Sequence, residues 1–179
     1  LSTHHDQTLS TGDGPTSANA VIAATGLVGP ADGPAFSPDA HWIWSPDRAP
    51  NQYVVFVKDF VVPGIITDLR IRISASYHYE LFVDGVFVNR GPVHGDPSWC
   101  QVDDLQLAVP GHSDRRVQVA VVVHHASDIH LHYLLPAPPG LIAELRVGDR
   151  LIGTDTGWRV LDLPMWRQDV PPRGWALDY

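Results

Sequence analysis

Apolar and polar residues alternate along much of this chain with a period of two, the spacing of strands that bury one face. In Leu69-Arg-Ile-Arg-Ile-Ser-Ala75, the residues Leu69, Ile71, Ile73 and Ala75 fall on one side and Arg70 and Arg72 on the other, where they are expected as solvated side chains. Tyr53 to Val62 is apolar on both faces and is stopped by Pro63-Gly64, as expected of a strand inside a two-layer fold. Val117 to Val123 is the most strongly β-prone run and predicts a central strand buried on both sides. Gly140–Val147 and Arg150–Thr154 flank a Gly148-Asp149 turn, and Trp158–Leu163 predicts a last strand.

The sharpest local signal lies where two aromatic and branched runs meet at Asp84-Gly85, a pair that favours the positive φ angles of a two-residue type I′ hairpin turn. Pairing Val83 with Val86 and Leu81 with Val88 would place Tyr79, Leu81, Val83, Val86 and Val88 on one face. Phe82 and Phe87 then become a cross-strand aromatic pair on the other. Beyond the hairpin, Asp96 to Leu105 reads as an acidic and aromatic loop, and His124 to Pro139 as a long loop rich in His and Pro. About eight short strands with frequent turn signals, and no convincing amphipathic helix, predict an all-β fold, an antiparallel β-sandwich of jelly-roll type.

Composition supports that picture. Only Glu80 and Glu144 represent glutamate, while 16 Pro and 15 Gly favour short elements joined by turns. The 179 residues suit one sandwich with appendages. The expected division is a flexible Gly/Pro/Ser/Ala-rich arm over 1–38, the sandwich over 39–163 and a Pro/Trp-rich exit segment over 164–179, leading toward a following domain. The apolar patch Val21–Val28 offers an alternative within the arm, an added edge strand. A net charge of −8 without a basic patch argues against nucleic acid and anionic membranes as partners. No run reaches membrane-spanning length. The single Cys100 excludes an intrachain disulfide framework and leaves the compartment open between cytoplasm and secretion.

Candidate chemistry is sparse. Trp42 and Trp44, two apart in an extended segment, either cap the core or line a shallow binding surface. His124, His125, His130 and His132 are the densest set of zinc-type ligands, against the simpler reading of a polar loop. Asp96, Asp103 and Asp104 offer the hard oxygens that calcium prefers, and calcium is the one cofactor expected, although no EF-hand pattern accompanies them. Glu80 and Glu144 are expected in strands, Glu144 beside Arg146, as ion pairs or solvated groups rather than as the facing carboxyls of a glycosidase. No nucleophile elbow or phosphate-binding glycine loop is present.

Taken in order, Trp42-Ile-Trp44, Pro50–Phe56, Tyr79-Glu-Leu-Phe-Val-Asp-Gly85, Arg90-Gly-Pro92, Asp96-Pro97, Val121–His125, Gly140–Leu145 and Thr154–Arg159 resemble the N-terminal region of bacterial α-L-rhamnosidase-type glycoside hydrolases. Pro164–Pro171 resembles the segment leading such chains out of their first sandwich. The resemblance implies a galactose-binding-like sandwich without catalytic residues, cut from a parent hydrolase whose catalysis resides in a later helical barrel. It also implies the catalytic domain as a partner, with terminal rhamnose or a similar sugar as a possible ligand. By analogy with calcium-dependent rhamnose-binding sandwiches, Asp84, Asn89, Asp96 and Trp99 become carbohydrate-binding candidates beside Trp42 and Trp44. Three readings follow: an accessory domain packing on the catalytic part and contacting carbohydrate, an independent calcium-dependent rhamnose-binding module, and a metal-dependent enzyme built on the histidine loop.

Overall fold

Period-two alternation becomes strand almost throughout the computed structural model, which describes residues 19–20, 22–23, 36–49, 51–62, 68–93, 101–108, 114–126 and 137–164. The described strands are β1 (Asn19–Ala20), β2 (Ile22–Ala23), β3 (Ile43–Trp44), β4 (Gln52–Val62), β5 (Asp68–Ala75), β6 (His78–Val83), β7 (Val86–Gly91), β8 (Asp103–Ala108), β9 (Arg115–His125), β10 (Leu141–Val147), β11 (Arg150–Gly153) and β12 (Arg159–Asp162). No helix occurs among the described residues, and none there is long and apolar enough to cross a membrane.

Two antiparallel sheets form the sandwich. The first runs β1-β12-β4-β9-β6-β7; the second runs β2-β3-β10-β5-β8, with β11 paired to β10. The spine of the first sheet is the β4–β9 ladder, in register from Gln52↔His125 to Val62↔Arg115. Trp44, Phe56, Tyr79, Leu81, Val121, Ile71 and Leu145 fill the space between the sheets and are fully buried. Side chains of this size each contribute about 1.5–3 kcal/mol when taken out of water, so this layer holds the two sheets together.

The hairpin forms with Asp84 at φ 50° and Gly85 at φ 78°, the conformation the Asp-Gly pair favours. Phe82 and Phe87 meet edge to face at 5.7 Å, as expected. The pairing further back differs. A bulge at Leu81/Phe82 sets Leu81 opposite Asn89 instead of Val88. Val88 still packs against the core, but Val86, at the hairpin tip beyond the facing sheet, is 67% exposed.

Three other expectations change. Asp103–Ala108, expected largely as loop, is strand β8: Leu105 and Leu107 pack on the core while Asp104 and Gln106 face out. His124 and His125 close β9 rather than opening a loop. Arg70 and Arg72 are ion-paired, to Asp104 and Glu144 respectively. Within the expected arm, β1 adds to β12 and β2 to β3, extending both sheets. Phe36 packs on the small outer cluster of Ala40, Trp42 and Ile142.

A polar groove on the second sheet

β8, β5 and β10 lie side by side, and their registers put Arg70 between Gln106 and Arg146, and Arg72 between Asp104 and Glu144. These positions all face away from the core because they are the alternate residues to Leu69, Ile71, Leu105, Leu107 and Leu145. The result is a groove of about 540 Å³ lined by Asp68, Arg70, Asp104, Gln106, Arg146 and Gly148. A smaller recess of about 130 Å³ continues it along Arg70, Arg72, Glu144, Arg146 and Leu151.

The recess has a fixed floor. Arg72 Nη1 donates to Glu144 Oε2 at 2.9 Å, with the two side chains only 13% and 7% exposed, and the backbone N–H of Ser37 donates to the other oxygen, Oε1. The Arg72 guanidinium also lies 4.8 Å from the centre of the Phe36 ring, a cation–π contact that links the recess to the Trp42 cluster. In the groove proper, Arg70 Nε donates to Asp104 Oδ1 at 2.7 Å and its Nη2 to Oδ2, a bidentate pair. The hydrogen bonds from Arg70 hold the Asp104 carboxyl below its ordinary pKa, so it remains ionised near neutrality and is unsuited to act as a general acid.

The side chains of Asp68, Gln106 and Arg146 form no hydrogen bond or ion pair among the described residues. Three arginines (70, 72 and 146) face three carboxylates (68, 104 and 144), so the surface is formally neutral while dense in donors and acceptors. Such a surface suits a hydroxyl-rich, uncharged ligand better than a strongly ionic one.

The other sequence candidates are dispersed. Trp44 is 0% exposed, its Nε1 donating to Gln52 Oε1 at 3.2 Å; it is core and presents no surface to a ligand. Trp42 is buried with Phe36 and Ile142 on the outer side of the second sheet. Asp84 closes the hairpin turn onto β9 by pairing with Arg115 and accepting the Gln118 N–H at 2.9 Å. Asn89 Nδ2 donates to the Tyr79 hydroxyl at 3.0 Å, and that hydroxyl in turn donates to Asp103 Oδ2, linking the two sheets. Burial, then the bond to Asp103, raises the Tyr79 pKa far above its ordinary value, so the phenol stays a donor.

Asp103 and Asp104 therefore point to opposite faces of β8, one held by Tyr79 and the other by Arg70, and do not form a shared calcium ligand pair. Among the described residues no group of three His, Cys, Asp or Glu side chains is placed to hold a metal ion. Asp96, Trp99, Cys100, His130 and His132 lie outside the described residues.

The two described histidines of the expected zinc set diverge as well. His124 stacks on Tyr53 at 4.0 Å on the outer face of the first sheet, with its Nε2 2.5 Å from Asn51 Oδ1. His125 points inward against Trp44, with its Nδ1 3.2 Å from Ser76 Oγ; burial and nearby Arg48 push its pKa down to about 4. Glu80 pairs with Arg90 across the hairpin, and Glu144 pairs across strands with Arg72 rather than with Arg146.

Sequence reasoning missed Asp68, Arg70, Gln106 and Arg146 as members of a site. The signal present was Arg-Ile-Arg on β5, which puts Arg70 and Arg72 on one face. Their neighbours on β8 and β10 are distant in sequence, so the assembled groove was not visible.

No protein-family model matches the chain, and no curated protein sequence matches it. Solved structures do. A GH78 family rhamnosidase of Bacillus sp. GL1 is similar over 72% of this chain at 30% identity and a TM-score of 0.63. An α-L-rhamnosidase of Streptomyces avermitilis, solved with L-rhamnose, is similar over 83% at 25% identity and a TM-score of 0.53. The matched region is 14% of each of those enzymes. A Pleurotus ostreatus lectin solved with GalNAc shares the fold over 80% of this chain and 40% of its own length, at 17% identity and a TM-score of 0.53. In sequence and fold together, the chain is similar to a small β-sandwich portion of α-L-rhamnosidases.

Proposed function

We propose that this chain is a non-catalytic accessory domain of an α-L-rhamnosidase-like glycoside hydrolase, one that packs on the catalytic part and contacts carbohydrate through the groove over β5, β8 and β10. The observation that carries the reading is the neutral groove itself, in which the side chains of Asp68, Gln106 and Arg146 have no hydrogen-bond or ion-pair partner among the described residues. A pyranose presents hydroxyls that both donate and accept. The Arg146 guanidinium donates, the Asp68 carboxylate accepts and the Gln106 amide does both, while the Arg70–Asp104 pair keeps a rigid edge beside them. Neutral sugars and their deoxy relatives such as rhamnose fit this balance. The similarity to enzymes of which the matched region is 14% supports an accessory role, since most of such an enzyme lies elsewhere.

The test is calorimetric titration of the folded chain with L-rhamnose and with a rhamnose-terminated oligosaccharide, with calcium and after chelation. The reading expects calcium-independent binding that Arg146→Ala and Gln106→Ala each weaken by about tenfold, the equivalent of one lost hydrogen bond of about 1.4 kcal/mol. Binding that disappears on chelation and ignores both substitutions would favour the independent calcium-dependent module, and direct attention to Asp96 and Trp99. An absence of binding by a folded chain would leave the accessory role without the sugar contact.

A further inference from the structure

Among the described residues, Leu151 contributes the one apolar side chain that lines the groove and its recess. Strand pairing puts it there. Leu151 stands opposite Arg146 on β10, while the next residue, Ile152, stands opposite Leu145 and enters the core. Residues opposite each other in an antiparallel pair share a face, so Leu151 points outward at the end of the row formed by Gln106, Arg70 and Arg146. It is half-buried, one strand spacing of roughly 4.8 Å from Arg146.

The neighbouring row is covered. Glu144 lies there between Gly153 and Arg72, and the segment 36–40 crosses all three. The Ser37 N–H donates to Glu144, the Phe36 ring lies on Arg72, and the Asp39 carbonyl sits so close to Gly153 that a Cβ there would collide with it. The recess therefore has a wall on that side. Both Glu144 oxygens already accept hydrogen bonds, one from Arg72 and one from Ser37. A ligand group pressed toward Leu151 exchanges water for an aliphatic side chain and the methylene stems of Arg70 and Arg146. A methyl group gains from that exchange, whereas a hydroxyl gives up hydrogen bonds to water that Leu151 cannot replace.

We propose that Leu151 selects 6-deoxyhexoses, receiving the C6 methyl group of the bound sugar and disfavouring the parent hexose that carries a hydroxyl there. The inference rests on the groove reading above and adds which sugars the groove prefers. A 6-deoxyhexose has hydroxyls around its ring and a methyl at one corner. The groove matches it with donors and acceptors along Asp68, Arg70, Gln106 and Arg146 and one apolar residue at the end of the row.

L-Rhamnose and L-mannose differ only at C6, so the pair isolates this contact. The experiment is calorimetric titration of the whole chain with each sugar, for the wild type and for Leu151→Thr, which keeps a β-branched residue on β11. The wild type should prefer L-rhamnose about tenfold, the low end for one small group in a partly open apolar site, and Leu151→Thr should narrow the preference to about twofold by weakening rhamnose alone. A second reading needs no variant. Saturation-transfer NMR of L-rhamnose on the wild type should show its methyl protons more strongly saturated than its ring protons.

Equal affinity of the wild type for the two sugars would overturn the proposal while leaving the groove reading intact. So would a preference that persists unchanged in folded Leu151→Thr, or methyl protons no more saturated than the ring. Binding of neither sugar by the folded wild type would overturn the groove reading and this inference with it.

Discussion

Removing both partners of the Arg72–Glu144 pair should destabilise the chain no more than removing either one alone. Glu144 is almost wholly buried and its two oxygens have separate duties, one toward Arg72 and one toward the Ser37 N–H. Glu144→Gln keeps the shape but takes the Glu144 charge away from the Arg72 guanidinium, which is 13% exposed; the expected cost is about 3 kcal/mol, the low end for breaking a buried pair. Arg72→Met leaves a buried carboxylate whose one remaining donor among the described residues is the Ser37 N–H, and also removes the contact with the Phe36 ring, so a similar loss of about 3 kcal/mol is expected. The double variant has no stranded charge and should lose about 3 kcal/mol in all rather than 6, a coupling of about 3 kcal/mol.

Thermal unfolding of the four proteins reads this directly. At this chain length 1 kcal/mol corresponds to about 2–4 °C, so each single variant should melt about 6–12 °C lower and the double variant no lower than either. Simple additivity would refute the reasoning, because it would mean that neither charge depends on the other for its burial. Retention of the wild-type midpoint by either single variant would show that water reaches the pair.

Other outcomes follow from separate features. His125 is neutral when folded because its pKa is lowered to about 4, below the ~6.5 of an exposed imidazole. The unfolded chain therefore takes up a proton between those values, and stability falls as pH drops from about 6.5 toward 4, by up to about 3 kcal/mol. In equilibrium urea unfolding, His125→Gln should flatten that part of the pH profile, and an unchanged slope would count against the assignment. Tyr79→Phe removes the link between Asn89 and Asp103 across the two sheets and should lower denaturant stability by about 1–3 kcal/mol. Gly91→Ala would push a methyl group into the Asp103 carboxylate beside the Tyr79 ring. It should therefore cost about 1–3 kcal/mol, and much less when combined with Asp103→Ala.

Local chemistry carried most of the fold. Alternation in Leu69–Ala75, the β-branched run Val117–Val123 and the Asp84-Gly85 turn are set by neighbours a few residues apart, where strand period and backbone sterics act, and each is found in place. Asp103–Ala108 escaped because acidic residues and glutamine weigh against a strand in isolation. β8 exists because Leu105 and Leu107 have a core to cover and β5 has an edge to pair. The register slip in the hairpin was not visible either: the bulge at Leu81/Phe82 sets Leu81 opposite Asn89, whose side chain reaches the Tyr79 hydroxyl that bonds to Asp103 on the second sheet.

The candidate site was far less legible, for the same reason. Trp44 and Trp42 are equally aromatic in sequence, and which of them lies between the sheets was decided by packing. Asp103 and Asp104 are adjacent in the chain and were expected to act together; strand geometry sent one to Tyr79 and the other to Arg70. The groove draws on Asp68 and Arg70, Asp104 and Gln106, and Arg146, on three strands joined by long connections, so its neutral balance is a property of the register between β8, β5 and β10. By itself the sequence determined most of the stretches that become strands, β8 excepted, because that choice depends mainly on side-chain period and turn chemistry within a few residues. Only the tertiary structure decided which polar residues share a surface, because that depends on pairings between segments separated by tens of residues.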